Sequence, residues 1–422
     1  MRMKRSRRRL RTVMCAGLAM AGVLAIVGVL PAGSASAASS KKPAGSPVVF
    51  HADISETGPV SVLGATEAEA MKAVAAQVNS HGGIDGHPMK LTLKNNNSTP
   101  KTSVTIASSW VSKKLPFIMV GSVLGIDTPV DSLANSAGVF CYDLSPSKIP
   151  TPTSTVFSAG PSTTDQQKVF MTFFKAKGLT KIGYINGTTT SGVTAYQYFQ
   201  HWLKTKRLSG FTVTSHQTFT PSAVSVTTQM SAIKASNPQA IVIWESGAEV
   251  GTVLKAMSTL GMETIPTLID TADASYTLLT KFSDVLPKNA YFAAGSDYVP
   301  PAKLPKGPVR KAVKTFDAAV AASGRHGGDP WALGYDPTML LVGALRKLGI
   351  HASSKQILRY MEHLHKVAGV YGYYTTTPKT HRGLGVKNLY VVKWNGTSFV
   401  PVSGPGGAPA TSTKVSSRKK KK

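Results

Sequence analysis

Short apolar runs alternate with amphipathic segments along most of this chain. Apolar runs typical of buried strands occur at 48–50, 89–93, 117–120, 139–142, 182–185, 240–244, 264–269 and 290–293. Amphipathic stretches typical of helices lie between them, for example at 166–175, 194–204, 224–234 and 249–260. Continuously apolar strands that alternate with helices indicate parallel sheets covered on both faces. The pattern therefore predicts an α/β fold, and about 360 ordered residues predict two domains.

The first strand and helix show this pattern in detail. Thr66 and Glu69 have the spacing of a capping box and predict a helix start. Gly82 and Gly83 predict its end, before a turn and the second strand. The helix carries one apolar face at three- and four-residue spacing. That face consists of Ala68, Met71, Val74, Ala75 and Val78.

The N-terminus has the features of an export signal. A basic segment precedes an apolar run at 16–30, and Ala35-Ser36-Ala37 offers small residues at the cleavage positions. The run is shorter than the roughly 20 residues of a membrane-spanning helix. We therefore predict a signal peptide at 1–37, cleavage after Ala37, and a secreted or cell-envelope protein. Arg7-Arg8 leaves the twin-arginine route open beside the general secretory route.

The chain has two cysteines. Cys15 precedes the apolar run, so it does not predict a lipid anchor. Cys141 is then the only cysteine of the exported chain, which excludes an internal disulfide. Its apolar strand context favours a buried structural residue over a nucleophile.

The composition is strongly basic, with 48 Lys and Arg, 20 Asp and Glu, and a formal net charge of +28. Much of the excess lies at the two ends. Residues 38–45 read as a linker, and 403–422 read as a disordered basic tail that can bind an anionic cell-envelope surface. No nucleic-acid-binding pattern accompanies the charge, so nucleic acid is not an expected partner.

Motifs for catalysis and metal binding are missing from the sequence. It contains no G-x-S-x-G, no G-x-x-x-x-G-K-[ST] and no H-E-x-x-H. His363 and His365 lie two apart in a predicted helix and point to different faces, while His81 and His87 flank a turn. We therefore predict no catalytic residue, no metal site and no cofactor.

Polar residues follow several of the predicted strands. In open α/β sheets, ligands bind beyond the carboxyl ends of the strands, so these positions are candidates for a binding site. Each is equally compatible with a turn or helix cap. The polar candidates are Ser122, Ser145, Ser147, Ser191, Ser246 and Asp270, and Gly125 is a further candidate in the segment of Ser122.

One family shares the order of elements near the N-terminus. The first strand is followed by Thr57-Gly58-Pro59 and Gly64, and the helix by Asn79-x-x-Gly82-Gly83-Ile84-x-Gly86. This order resembles type I periplasmic binding proteins, the branched-chain amino acid-binding family of ABC importers. The resemblance extends to Val402.

This resemblance implies two doubly wound parallel-sheet lobes joined by a three-segment hinge. Lobe 1 would comprise 46–157 and 297–370. Lobe 2 would comprise 158–296 and 371–402. The chain would cross between the lobes near 157–160, 295–298 and 370–372.

The resemblance also implies roles for individual residues. Ser145 and Ser147 match the element that holds a ligand's carboxylate and amine, and Asp270 matches the acid that faces its ammonium group. Tyr335 matches the aromatic of a Gly-Tyr-Asp helix. Other positions depart from the family pattern, since Gly125 replaces a serine and Ser191 replaces a tyrosine. Leu63 and the pair Asn95-Asn96 also depart from it.

These features predict a monomeric, non-catalytic solute-binding protein that delivers a small polar ligand to an ABC permease. An amino acid, or a related amide or carboxylate, is the ligand class that the resemblance implies. One alternative is an extracellular ligand-sensing domain for a membrane receptor. Another is an enzyme on a doubly wound sheet.

Overall fold

The computed structural model describes residues 42–121, 123–247, 249–326 and 329–409, except the side chains of Arg207, Asp329 and Pro330. The predicted signal peptide, its cleavage site, Cys15 and Ser122 lie outside the described residues. Within them, no helix has the length and apolarity needed to cross a membrane.

The first sheet has five strands in the order β2-β1-β3-β4-β5, all parallel. Its strands are β1 (Val48–Ile54), β2 (Met89–Asn95), β3 (Phe117–Val120), β4 (Phe140–Asp143) and β5 (Val156–Ser158). Three of them, β3, β4 and β5, are buried along their whole length, as strands of a covered sheet are.

The second sheet has seven strands in the order β14-β13-β10-β9-β8-β6-β7. Five are parallel, while β13 pairs antiparallel with both β10 and β14. The strands are β6 (Lys181–Gly187), β7 (Thr212–Phe219), β8 (Ala240–Trp244), β9 (Thr267–Ile269), β10 (Ala290–Ala294), β13 (Tyr390–Trp394) and β14 (Phe399–Pro401). A separate short hairpin pairs β11 (Val367–Ala368) with β12 (Tyr373–Tyr374).

Helices cover both faces of both sheets. They are α1 (Ser61–Ser80), α2 (Pro100–Ser112), α3 (Leu124–Ala137), α4 (Thr163–Ala176), α5 (Thr190–Leu203), α6 (Thr227–Ala235), α7 (Val250–Thr259), α8 (Tyr276–Lys281), α9 (Pro308–Ala322), α10 (Asp329–Leu348) and α11 (Ser354–Met361). One face of the first sheet packs on α1, α9, α10 and α11, and the other on α2 and α3. The second sheet packs on α4 and α5 on one face and on α6 to α8 on the other. The predicted α/β architecture with two parallel-dominated lobes is confirmed; lobe 1 holds the first sheet and lobe 2 the second.

The third crossing between the lobes comes later than the sequence indicates. Residues near 370–382 pack on lobe 1, because Asp336 of α10 accepts hydrogen bonds from the Val370 amide and the Tyr374 hydroxyl, both at 2.9 Å. His381 contacts the Val156 carbonyl oxygen of β5 at 3.1 Å. A two-residue hairpin strand gives no hydrophobic pattern, which explains the early placement of this boundary near 370–372.

The first helix begins earlier than its predicted cap. The structure starts α1 at Ser61, and the Thr66 hydroxyl donates to the Val62 carbonyl at 2.7 Å inside the helix. Glu69 forms a salt bridge with Arg325 at 2.8 Å instead of closing a capping box. The predicted capping box is therefore wrong.

The C-terminal segment packs on lobe 2 further than predicted. The Ser403 hydroxyl accepts a hydrogen bond from the Val391 amide at 2.7 Å, and Gly407 is buried. A β carbon on Gly407 would lie 2.1 Å from the Val169 carbonyl oxygen of α4. The disordered tail predicted from Ser403 thus begins too early, and 410–422 lie outside the described residues.

Cys141 lies on β4 of the first sheet, between β3 and β5. Its side chain is fully buried and forms no disulfide. Burial is the largest cause that raises the pKa of its thiol, and Asp131 raises it further. The predicted buried position is confirmed.

Candidate functional site between the two lobes

Loops at the carboxyl ends of the two sheets approach each other. A β carbon on Gly125, in the first turn of α3, would lie 3.6 Å from Oγ1 of Thr190 at the start of α5. One on Gly247, after β8, would lie 3.5 Å from the carbonyl oxygen of Pro59, after β1. The region between these two contacts, bounded by the loops after β1, β3 and β4 of lobe 1 and after β6, β8 and β9 of lobe 2, is called the cleft below.

A third contact between the lobes is aromatic. The Tyr276 ring at the start of α8 stacks on His326, which follows α9, with 4.5 Å between ring centroids and 21° between planes. With these three contacts the structure has the lobes closed on each other.

Lobe 2 presents two buried carboxylates to the cleft. Glu245 directly follows β8, and its Oε2 accepts a hydrogen bond from the Thr189 hydroxyl at 2.9 Å. Asp270 directly follows β9 and accepts from the Ser246 hydroxyl at 3.1 Å and from the Ala272 amide at 3.2 Å. These bonds fix the orientation of both carboxylates.

Two further acids lie behind them. Asp273 accepts a hydrogen bond from the Gly247 amide at 2.7 Å, and Glu249 lies just before α7. Burial, with Asp270 next, raises the pKa of Asp273 well above its ordinary value. Burial is also the largest cause that raises the pKa of Glu245 to about 7, and Asp270 and Glu249 add to it. Near neutral pH, Glu245 therefore titrates in the closed structure.

The loop after β4 forms part of the lobe 1 wall. The Ser145 amide donates to Oδ1 of Asp143 at 2.7 Å, and the Ser147 amide donates to the Ser145 hydroxyl at 3.3 Å. The Ser147 hydroxyl lies 3.0 Å from that of Thr163. Both serines are buried, and these hydrogen bonds already use their amides and Ser147's hydroxyl.

Lobe 1 also buries a group of acids beneath this wall. Lys148 forms a salt bridge with Asp131 at 2.7 Å. Burial raises the pKa of Asp127 and of Asp143 well above the ordinary value, and neighbouring carboxylates raise both further. Burial also raises the pKa of Asp53 to about 6. The group consists of Asp53, Glu67, Asp127, Asp131 and Asp143.

The structure brings several of the sequence-predicted site residues together. Ser246 is bonded to Asp270 on lobe 2, while Gly125 faces Thr190, the neighbour of Ser191, across the cleft. Ser145 and Ser147 lie on the opposite wall. Ser122 lies outside the described residues.

Tyr335 is placed elsewhere. Its hydroxyl donates to Oε1 of Gln77 on α1 at 2.9 Å, and its ring packs on Phe316 of α9 at 5.2 Å between centroids. It therefore lies in the packing between α1, α9 and α10, and the structure does not bring it to the other candidates.

The candidates chosen from the sequence do not include Glu245, Asp273 or Thr189, although Glu245 and Thr189 lie in segments that follow predicted strands. Glu245 carried a usable signal, because an acid directly after a buried strand lies at the ligand-binding edge of the sheet. Thr189 is the N-cap of α5 and accepts from the Gly192 amide, so its residue type is explained by the cap alone. Only the fold shows that Asp273 lies beside the loop after β8.

No metal centre is found in the part of the chain that the structure describes: no group of three or more His, Cys, Asp or Glu side chains is arranged to hold an ion. His363 and His365 lie beyond the end of α11 rather than on a helix.

A family model described as periplasmic binding protein matches residues 54–398. The chain belongs to this family. The match covers both lobes and the crossings between them, and the two-lobed structure is that of a type I periplasmic binding protein. A comparison with curated proteins returned no match.

Solved structures share the fold at low sequence identity. An extracellular ligand-binding receptor from Rhodopseudomonas palustris HaA2 has a TM-score of 0.75 at 19% identity, covering 85% of this chain and 100% of that one. The branched-chain amino acid transporter substrate binding protein LivJ from Streptococcus pneumoniae, in complex with isoleucine, has a TM-score of 0.71 at 16% identity, covering 84% and 99%. A fatty acid ABC transporter substrate-binding protein from Thermomonospora curvata has a TM-score of 0.70 at 16% identity, covering 85% of this chain and 92% of that one. These likenesses support the fold of this periplasmic binding protein.

Proposed function

We propose that this periplasmic binding protein is the extracytoplasmic solute-binding component of an ABC importer. It captures a small polar ligand in the cleft and presents the closed, loaded form to a permease. The observation that carries the proposal is the closed cleft with buried, oriented polar groups on both walls. Glu245 and Asp270 on lobe 2 and the Ser145–Ser147 loop on lobe 1 are too polar to be explained as packing between two apolar lobes.

Closure follows from the way the chain joins the lobes. Three segments connect them, and such segments absorb a hinge rotation through a few backbone dihedrals. Gly160 at the first crossing has φ of +63°, a conformation that glycine adopts without strain. Arg382 donates to the Ala159 and Gly160 carbonyl oxygens at 2.6 and 2.9 Å, which holds this segment on lobe 1. Rotation therefore takes place beyond Gly160.

The proposed ligand contacts come from both lobes. Asp270, oriented by Ser246, accepts hydrogen bonds from a donor group of the ligand, and Gly125 lies opposite Thr190. Ser145, Ser147 and Ser191 are the remaining proposed contacts of the described residues. An amino acid or a related amide is one ligand class consistent with such groups, and isoleucine is the ligand in the LivJ complex. The reaction is binding alone, without chemical change to the ligand.

A thermal-shift panel tests the proposed function. The panel comprises amino acids, amides, short carboxylates and amines, with ligand-free protein prepared by unfolding and refolding. A ligand at a hundred times its dissociation constant stabilises the folded state by about 2.7 kcal/mol. For a chain of this size that is a rise in Tm of about 3 to 4 °C. Mass spectrometry of the recovered ligand must show it unchanged. Turnover of the ligand, or no shift with any class, contradicts the proposal.

The second candidate is a ligand-sensing component of a membrane receptor. It is favoured by the structural likeness to proteins described as extracellular ligand-binding receptors. An ATP-hydrolysis assay in vesicles that carry the candidate permease and its ATPase distinguishes transport from sensing. Stimulation of ATP hydrolysis by the loaded protein supports transport, and absence of stimulation with binding intact supports sensing.

A further inference from the structure

The acidic residues of this basic protein are concentrated at the cleft ends of its two sheets. Against 48 Lys and Arg, the chain has only 20 Asp and Glu. Nine of those 20 form the two acidic groups that flank the cleft. The lobe 1 group consists of Asp53, Glu67, Asp127, Asp131 and Asp143, and the lobe 2 group of Glu245, Glu249, Asp270 and Asp273. Almost half of the acids of this basic protein therefore lie at the cleft.

Among the described residues, two members of the lobe 2 group, Glu245 and Asp273, form no salt bridge. The charged neighbours that raise the pKa of Glu245 are Asp270 and Glu249, and those that act on Asp273 are Asp270, Glu245 and Glu249. Buried like charges repel, and the repulsion is strong at low local dielectric.

Asp273 supplies an independent indication that a group is missing. Its side chain is 1% exposed, and its Oδ2 has no hydrogen-bond partner among the described residues. A buried, unpaired carboxylate oxygen is costly unless it meets a donor or a positive charge. Asp270, Glu245 and Glu249 all raise the pKa of this carboxyl group, so the unpaired oxygen belongs to the same acidic group.

The opposite wall disfavours a ligand carboxylate. The Ser145 amide, which could bind a carboxylate oxygen, already donates to Asp143. The Ser147 hydroxyl is paired with that of Thr163. A ligand carboxylate placed here would have to compete with Asp143 for the Ser145 amide. A metal ion is not the missing group, because the described residues offer no arrangement of ligands for one.

We propose that the cleft binds an organic cation, an amine or guanidine without a carboxylate, whose N–H groups donate to Glu245 and Asp270. Asp273 and Glu249 add negative potential behind these two acceptors. Charge-assisted hydrogen bonds of this kind are the strong ones, and a cation offsets the cost of the buried charge on Glu245. The inference rests on the proposed function, because it requires that the cleft be a ligand site.

Isothermal titration calorimetry at pH 8 on the ligand-free full chain tests the inference. The cationic probes are 1,4-diaminobutane, agmatine and spermidine. The comparison probes are L-leucine, butyramide and hexanoate. The variant is Glu245→Gln, and the matched control is Asp284→Asn, an exposed lobe 2 acid outside the cleft. We expect at least one cation to bind more tightly than every comparison probe. Glu245→Gln should weaken that cation at least tenfold, and Asp284→Asn should change its affinity less than twofold.

A pH series on the wild-type chain keeps the test independent of the variant's folding. The groups that face Glu245 are Asp270, Glu249 and Asp273, all acidic, and the Thr189 hydroxyl. Because protonation removes the charge of Glu245, cation affinity should fall as the pH is lowered from 8 to 6. Binding of a neutral or zwitterionic probe with no effect of Glu245→Gln would overturn the inference and leave the proposed function standing. Absence of binding by every probe would overturn both.

Discussion

Burial of an ionisable Glu245 makes the ligand-free protein less stable at high pH, and Glu245→Gln removes that effect. The acids that raise its pKa, Asp270 and Glu249, lie with it on lobe 2 and stay beside it when the lobes open. The folded-state pKa of about 7 lies above the ordinary value of 4.5. A carboxyl group whose pKa is raised in the folded state contributes stability that is fully present below its unfolded-state pKa. That stability is lost as the pH rises through its folded-state pKa. From pH 5 to pH 8, the wild-type chain should thus lose about 2.5 kcal/mol that the variant keeps.

The magnitude in Tm follows from chain size. An entropy of unfolding of about 2.1 cal/mol/K per residue over roughly 360 folded residues gives about 1.3 °C per kcal/mol. The Tm difference between variant and wild type should therefore grow by about 3 °C in the variant's favour between pH 5 and pH 8. The Gln side chain keeps one acceptor for Thr189 and Ser246, so the loss of the other acceptor shifts the Tm of the variant by the same amount at every pH. The test is therefore the change of the Tm difference with pH.

Differential scanning fluorimetry of refolded, ligand-free protein measures this difference. The control is Asp284→Asn, whose Tm should follow the wild-type Tm at every pH because Asp284 is exposed. If the Tm difference between Glu245→Gln and wild type stays constant from pH 5 to pH 8, ionisation of Glu245 does not destabilise the folded protein. The electrostatic account of the lobe 2 wall would then be refuted.

Three other predictions concern the ends of the chain and the late crossing. Intact-mass analysis of exported protein should show a mature N-terminus at Ala38 and no lipid, and a diacylglycerol adduct or retained signal would contradict it. Deleting 410–422, which keeps the packed residues up to Pro409, should leave ligand affinity unchanged and reduce retention on cell envelopes at low salt, because six basic residues are removed; unchanged retention speaks against an envelope-binding tail. Asp336→Ala should lower the free energy of unfolding by about 3 to 5 kcal/mol in urea titration, because three buried donors lose a charged acceptor; a loss below about 1 kcal/mol would mean that the hairpin does not depend on it.

Most central strands could be predicted from the sequence because they are buried on both faces. The runs at 117–120 and 240–244 coincide with β3 and β8. By contrast, β7 is an edge strand that is partly exposed along most of its length, and its polar sequence gives no apolar run. The strands β13 and β14 were also missed, since antiparallel strands after a long crossing follow no helix–strand alternation.

The candidate site was predictable only in part, for a physical reason. Position after a strand selects Ser246 and Asp270, and the structure bonds these two side chains to each other because strand ends converge in this fold. Position says nothing about which polar groups are already used within the protein. Ser147 and Tyr335 are paired with Thr163 and Gln77, and those pairings join residues far apart in sequence. The charge of the cleft likewise depends on which acids are brought together.

Closure of the two lobes on a ligand is the central claim, and a disulfide across the cleft tests it most directly. The β carbons of Gly125→Cys and Thr190→Cys would lie about 3.9 Å apart, within the range of disulfides. Cys141 is fully buried and does not compete. Freshly purified double variant is oxidised, dialysed for long periods and examined by native mass spectrometry, with a reduced sample as control. The account predicts that the oxidised protein keeps a bound small molecule, that the reduced protein loses it, and that oxidised ligand-free protein binds no ligand until it is reduced. Failure of the disulfide to form, or equal loss and equal binding in the two samples, would contradict a cleft that closes on its ligand.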